Sequence, residues 1–200
     1  MDNSEDTERI ASVLNGDISS FEPLIAKYQP RVFATVRRYA RREDEIEDIV
    51  QEIFIKAFRK LATFRGEAPF EHWLMRLAVR TCYDFLRRHQ RNRETNLSQL
   101  TDAQNEWLER FHVSDTADSG DAVAARELVE LLLDKLSPSS KMVITLMEIE
   151  GKSVKEIAEI MGWTLSLVKV RAFRSRAQMR KHLAQLLKEC PVTVEPIKTS

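Results

Sequence analysis

The sequence predicts an all-α protein of two small helical domains joined by a flexible acidic linker, with a helix-turn-helix as the C-terminal domain. Three observations support this fold class. Apolar residues recur every three or four positions, the glycines fall between those periodic stretches, and the sign of the charge changes along the chain. Only five of the 200 residues are glycine, which is typical of helices separated by short turns.

The N-terminal part of the chain has the pattern of one helical bundle. Between Ile46 and Leu61 the apolar residues line one face of a helix about 20 residues long. An earlier periodic run, Phe21 to Tyr39, is predicted to be interrupted by its two prolines, including Pro30, because proline removes a backbone N–H. We therefore interpret residues 1–93 as a single domain.

Charge separates this domain from the next. Lys+Arg and Asp+Glu number 31 each and cancel over the whole chain, but residues 94–134 carry only 2 bases against 10 acids. The stretch Ser114–Asp121 also has the small polar composition of a flexible linker. We predict a linker over residues 94–121, a C-terminal domain over 122–190 and a tail over 191–200.

The C-terminal domain is predicted to contain four helices, of which the last two form the helix-turn-helix. Ser137, Ser153 and Thr164 each stand where a hydroxyl can cap the start of a helix. Gly162 can adopt the positive φ of the tight turn between the third and fourth helices. The segment Glu156–Val168 has the spacing of a helix-turn-helix.

The fourth helix has one apolar face and one basic face. No acid occurs between Leu165 and Lys188, whereas a merely solvated helix usually mixes glutamate with lysine. We interpret the basic face as DNA-binding, with a solvated charged surface as the alternative. Its six cations are Lys169, Arg171, Arg174, Arg176, Arg180 and Lys181.

Two further surfaces are predicted in the N-terminal domain. Asp48, Gln51 and Glu52 lie off the apolar face of their helix, where they are free either to meet another protein or simply to face solvent. A second basic stripe contains Arg76, Arg80, Arg87 and Arg91, and it follows a loop with Phe64, Phe70 and Trp73. Aromatic rings beside cations are typical of single-strand binding, although these arginines can also pair with neighbouring acids and these rings can be core.

Three motifs, taken in order, resemble those of a bacterial RNA polymerase sigma factor of the extracytoplasmic-function type. Asp48–Phe54 resembles the family's polymerase-docking segment, Phe64–Arg76 its promoter-melting segment, and Gly151–Arg176 its minus-thirty-five reader. The resemblance covers about residues 10–188. It implies that the chain binds core RNA polymerase and promoter DNA, and that an anti-sigma protein holds it inactive.

The resemblance also assigns residues to each task. Those implied to bind polymerase are Asp48, Gln51, Glu52 and Phe54. Those implied to contact minus-ten DNA are Phe64, Arg65, Phe70, Arg76, Arg80 and Arg87. Those implied to contact minus-thirty-five DNA are Ser166, Lys169, Arg171, Phe173, Arg174 and Arg176. The chain departs from the family pattern at Arg80, where Asn is most frequent, and at Ser166-Leu167, where Gly-Thr is usual.

Other classes of protein are disfavoured by the composition. The two cysteines show no C-x-x-C spacing, the four histidines are scattered, and no catalytic triad or phosphate-binding glycine loop is present. We therefore expect no metal, no cofactor and no enzymatic activity. The N-terminus is acidic and no run of 18 apolar residues occurs, so we expect a cytoplasmic protein without membrane insertion.

One alternative function stays open. A stand-alone helix-turn-helix transcriptional regulator, with an N-terminal sensing or dimerisation domain, would bind an operator without polymerase. The polar face at Asp48, Gln51 and Glu52, together with the arginine stripe, favours the sigma factor because such a regulator needs neither.

Overall fold

The structure, a computed structural model, describes residues 3–95 and 120–189, and side chains over 4–92 and 125–188. Most of the predicted linker, and the predicted tail, lie outside these residues. Every regular element in the described ranges is helical, which confirms the all-α prediction. The described residues divide into an N-terminal unit, which runs to Arg91 and also contains Lys155–Trp163, and a C-terminal unit that contains the others.

Eight α-helices follow one another in the described part of the chain. They are α1 (Asn3–Leu14), α2 (Glu22–Val36), α3 (Glu43–Lys60), α4 (Phe70–Thr95), α5 (Gly120–Asp134), α6 (Pro138–Ile144), α7 (Val154–Met161) and α8 (Leu165–Glu189). Short 3₁₀ turns cover Ile18–Phe21 and Leu61–Thr63, and a π-helical turn covers Thr145–Ile149.

Helix α2 corrects one prediction. It continues through Pro30, although the sequence predicted an interruption there. Proline removes one intrahelical hydrogen bond, but Tyr28 and Val32 on either side of it are buried in the core. Packing of the flanking turns therefore outweighs the lost bond. Pro23, in contrast, stands in the first turn, where proline is tolerated.

The core of the N-terminal unit follows the predicted periodicity of α3. Its buried face consists of Ile46, Ile49, Val50, Ile53, Phe54 and Ala57. Three acids in the first turn and two bases in the last complement the helix dipole. The opposite face of α3 is consequently left at the surface, where Asp48 and Gln51, two of the predicted polymerase contacts, lie.

Helix α1, which the sequence analysis did not identify, is attached to α2 through a buried acid. Asp6 is 3% exposed. Its carboxylate accepts hydrogen bonds from Lys27 Nζ at 2.5 Å and from the Tyr28 hydroxyl. The hydrogen bond to Asp6 raises the pKa of Lys27, whereas burial, followed by the bond to Asp6, raises that of Tyr28.

Two of the three predicted caps, Ser137 and Thr164, are confirmed at helix starts of the C-terminal unit. The Ser137 side chain accepts a hydrogen bond from the Ser140 N–H at 3.4 Å at the start of α6, and Thr164 Oγ1 accepts one from the Leu167 N–H at 3.2 Å at the start of α8. Helices α5 and α6 pack on α8. Leu133, Leu136 and Ile144 form a buried cluster against which Met179 packs.

Candidate polymerase and nucleic-acid interfaces

The outer face of α3 displays two of the four predicted polymerase contacts. Asp48 and Gln51 are exposed and one helical turn apart. At the same helical spacing follow Ile55 and Phe58, which are 43% and 39% exposed. These two apolar side chains were missed by the sequence analysis, because a periodic pattern counts apolar residues as core. Phe54, by contrast, is 8% exposed and belongs to the core.

Glu52, the fourth predicted polymerase contact, forms ion pairs with other residues of the same chain. Its two carboxylate oxygens pair with Lys56 Nζ at 2.8 Å and with Arg88 Nη2 at 2.9 Å. Partial burial works to raise the pKa of Glu52, but the hydrogen bonds from Arg88 and Lys56 outweigh it and lower that pKa. Glu52 thus connects α3 to α4.

A cleft of about 500 Å³ lies between the end of α3, the loop after it and the first half of α4. Phe64 and Trp73 line it with their rings 5.8 Å apart. Cations outnumber acids in the lining, so its potential favours an anion. The cations are Lys56, Lys60, Arg65, Arg76 and Arg80, and the acids are Glu67 and Asp84.

The burial of Phe70 does not agree with its predicted contact with DNA. Phe70 was assigned to minus-ten DNA, but it is 2% exposed and its ring stacks on Trp73 at 5.5 Å. Tyr28 of α2 packs edge-on to the same ring at 5.6 Å. Phe70 is therefore a core residue that supports Trp73, which is half-buried and lines the cleft. Lys56 and Lys60, which also line the cleft, are not among the residues predicted from the sequence.

The predicted arginine stripe of α4 is exposed, and its members already have intramolecular contacts. The Arg87 guanidinium lies over the Tyr83 ring, 5.7 Å from its centroid. Arg80 Nε donates to the Ile160 carbonyl oxygen at 2.6 Å, and Ile160 belongs to the same compact unit. Arg76 Nε donates weakly to the His72 carbonyl oxygen at 3.4 Å. Of these three arginines, Arg76 therefore has the weakest intramolecular contact. Its side chain also lines the cleft.

At the predicted helix-turn-helix, α7 and α8 follow one another along the chain and are joined by a short turn. Gly162, with φ of 68°, supplies the left-handed residue that ends α7, and the Trp163 N–H donates to the Ala158 carbonyl oxygen at 2.9 Å. Thr164 then caps α8. The predicted apolar face of α8 packs inward, with Val168, Ala172, Ser175 and Leu186 buried.

The exposed side of α8 combines cations with apolar residues. Ser166, Lys169 and Arg174 are exposed, and Phe173 is 70% exposed. Arg171 is half-buried, and its Nη1 atom is inaccessible to solvent. Leu165, Leu167 and Val170 are also exposed, which the sequence analysis did not predict. Apolar side chains on a groove-facing helix can contact thymine methyl groups.

Arg176 of α8 forms an ion pair at the surface. Its Nε and Nη2 atoms donate to Glu148 Oε1 at 3.0 and 2.6 Å. Glu148 lies in the π-helical turn, 28 residues earlier in the sequence. A helical-wheel analysis of α8 could not reveal this partner.

The described residues contain no cluster of three or more His, Cys, Asp or Glu side chains able to hold a metal ion. In the same residues no helix is both long and apolar enough to cross a membrane.

Comparison with known proteins identifies two sigma-70 regions in the chain. Residues 24–92 match Sigma-70 region 2, and residues 126–179 match Sigma-70, region 4. The ECF RNA polymerase sigma-E factor of Haemophilus influenzae is 35% identical over 185 residues, covering 91% of this chain and 97% of that protein. The RNA polymerase sigma-H factor of Pseudomonas aeruginosa is 32% identical over 189 residues, covering 92% and 97%. The solved structure of CnrH in complex with the cytosolic domain of CnrY is similar with a TM-score of 0.53 and 25% identity, covering 91% of this chain and 99% of that one.

Proposed function

Because the chain belongs to the extracytoplasmic-function family of RNA polymerase sigma factors, we propose that each of its three surfaces serves one step of transcription initiation. The chain binds core RNA polymerase and recognises promoter DNA. In our assignment the outer face of α3 docks on polymerase, the cleft beside α4 receives the melted strand, and α8 reads the upstream duplex.

The cleft is the observation that carries this proposal. Five cations and two half-buried rings meet in one concave surface of the N-terminal unit. Cations attract the phosphate backbone, and ring faces stack on unpaired bases, which a duplex does not offer. A surface with both features suits single-stranded DNA better than duplex DNA. Phe64, Trp73 and Arg76 are the residues we assign to the melted strand.

For the docking face, we assign Asp48 and Gln51 as polar contacts and Ile55 and Phe58 as apolar ones. Apolar side chains that remain exposed beside polar groups are a recurrent feature of protein interfaces. Glu52 and Phe54 act behind this face, by holding α3 in place.

For α8, we assign Lys169, Phe173 and Arg174 to the groove. All three are exposed in the first three turns, the part of a recognition helix that reaches base edges. In this scheme polymerase supplies all catalysis and the chain itself is no enzyme, and the chain works in the cytoplasm, where polymerase is. We also propose that an anti-sigma protein regulates it, since the similar CnrH structure contains a bound protein partner.

Transcription reconstituted from purified parts tests this function. Core RNA polymerase, the full chain and fragmented genomic DNA of the source bacterium are combined, and the 5′ ends of the transcripts are mapped. We expect discrete start sites that appear only when chain and polymerase are both present. A stand-alone regulator would instead protect duplex sites without polymerase and create no start sites.

A further inference from the structure

Glu148 and Arg176 form an ion pair at the surface of the C-terminal unit. The two side chains are 47% and 52% exposed, so a DNA phosphate can reach the pair. Arginine has five N–H donors. The Nε–H and one Nη2–H bind Glu148 Oε1, and Nη2 also lies 3.2 Å from Met147 Sδ.

The acid of this pair comes from outside α8. The helix has no acidic residue between Leu165 and Lys188, and the carboxylate that pairs with Arg176 belongs to the turn after α6. That turn is π-helical: the Glu150 N–H donates to the Thr145 carbonyl oxygen, five residues back, at 3.0 Å. Single π-helical turns occur frequently at functional sites.

We propose that Glu148 is a specificity-determining residue, which restrains sequence-independent DNA binding by holding the guanidinium of Arg176. This inference rests on the proposed role of α8. Contacts with phosphates strengthen binding to every sequence alike, whereas contacts with base edges discriminate between sequences. A guanidinium paired with a carboxylate offers less to a phosphate, because the phosphate must either displace the acid or approach it against like-charge repulsion.

A salt titration of the full-length chain tests the proposal. The probe is a labelled pool of random duplexes of about 20 base pairs, and binding is followed by fluorescence anisotropy at several NaCl concentrations. We expect Glu148→Gln to tighten binding about 3- to 10-fold at about 100 mM NaCl and to steepen the salt slope by about 0.9, the value for one added phosphate contact. The matched control, Glu127→Gln, removes the same charge from another exposed glutamate of the same unit and should change binding less than about twofold.

The double variant separates this mechanism from a general charge effect. If Glu148 acts by holding Arg176, Glu148→Gln should change binding less than about twofold in an Arg176→Gln background. An effect of full size in that background, an equal effect of Glu127→Gln, or weaker binding by Glu148→Gln would each overturn the proposal.

A selection experiment measures the discrimination itself. Duplexes that the wild type binds best are selected from the random pool, and affinity for them is compared with affinity for the unselected pool. We expect this ratio to fall about threefold in Glu148→Gln, and an unchanged ratio would overturn the proposal. Failure of the underlying function is recognised separately, because Lys169→Ala and Arg174→Ala would then leave duplex binding unchanged.

Discussion

Arg88 donates a hydrogen bond from Nη2 to Oε2 of Glu52 at 2.9 Å, joining the two longest helices of the N-terminal unit. Lys56 occupies the other oxygen of the same carboxylate. A residue that the sequence analysis assigned to polymerase binding therefore connects α3 to α4. Lys56 also lines the cleft, so the Glu52 carboxylate contacts one residue of the proposed strand-binding surface.

We expect Glu52→Gln and Arg88→Gln each to lower the free energy of unfolding by about 0.5 to 1 kcal/mol, the upper range for partly exposed ion pairs. The double variant should lose less than the sum, because both substitutions remove the same bond. Urea unfolding of the four proteins checks this. Strictly additive losses would show that the two side chains are energetically independent.

The lowered pKa of Glu52 gives its contribution a defined pH dependence. A carboxylate whose pKa is lower in the folded state stabilises the fold above its unfolded pKa, near 4.5, and this contribution is lost as the pH falls through the folded value. We expect the difference in stability between the wild type and Glu52→Gln to be constant near neutral pH and to shrink below about pH 4.5. A difference that grew on acidification would contradict the assignment.

Asp6 should be more important for stability than any exposed acid of α1. Its replacement by alanine leaves the buried Tyr28 hydroxyl and Lys27 without their acceptor, so we expect a loss of about 1 to 3 kcal/mol. Glu8→Ala, an exposed acid on the same helix, should change stability by less than about 0.5 kcal/mol. Equal effects in chemical unfolding would mean that α1 is not attached through Asp6.

Substitutions at exposed residues of α3 test polymerase binding without affecting the stability of the fold. We expect Asp48→Ala/Gln51→Ala to weaken binding to core polymerase at least about tenfold, since truncation of central interface residues costs more than about 1 kcal/mol each. Its unfolding curve should match that of the wild type. Glu47→Ala, also exposed on α3, is the control. Retention of wild-type affinity in a quantitative pull-down would place the docking face elsewhere.

Promoter melting should depend on Phe64 and Arg76. We expect their replacement by alanine to reduce the permanganate reactivity of promoter thymines, because each base stacked on a ring contributes about 1 to 3 kcal/mol. A premelted bubble template should restore transcription by these variants. Phe70→Ala serves as a contrast: its ring is buried, so it should destabilise the chain by about 3 to 5 kcal/mol. If the bubble fails to restore activity, these residues act at a step other than melting.

Base reading and phosphate binding should separate along α8. We expect Arg174→Ala to reduce preference among upstream elements by about 1 to 3 kcal/mol, whereas Arg180→Ala, further along the helix, should weaken all sequences alike and reduce the salt slope by about one unit. Binding to a randomised duplex library at two salt concentrations distinguishes the two. Losses that are equal and independent of sequence would reduce α8 to a phosphate-binding surface.

Local sequence signals predicted the helices well because helix formation is largely local. The period of α3, the Ser137 and Thr164 caps and the turn at Gly162 each depend on residues within a few positions of one another. Pro30 was the exception, because its cost is offset by tertiary packing that no local pattern contains.

The candidate sites were predicted less completely, since a helical wheel identifies a face but not its neighbours. It places Glu52 and Arg176 at the surface, yet their partners Arg88 and Glu148 lie 36 and 28 residues away. Phe70 and Trp73 are one turn apart on α4, and only tertiary packing, including the contact of Tyr28 with Phe70, determines which ring is the core residue.

The π-helical turn at Thr145–Ile149 makes this part of the chain sensitive to its own length. A π-helical turn holds one residue more than the α-helical turn that would replace it. Deleting a residue there would rotate α6 by about 100° and shift it by about 1.5 Å relative to the chain that follows. Because α6 packs on α8, an insertion or deletion would misalign two packed helices even if every side chain were kept. In the evolution of this protein, substitutions should therefore be accepted at the turn far more readily than changes in the number of residues.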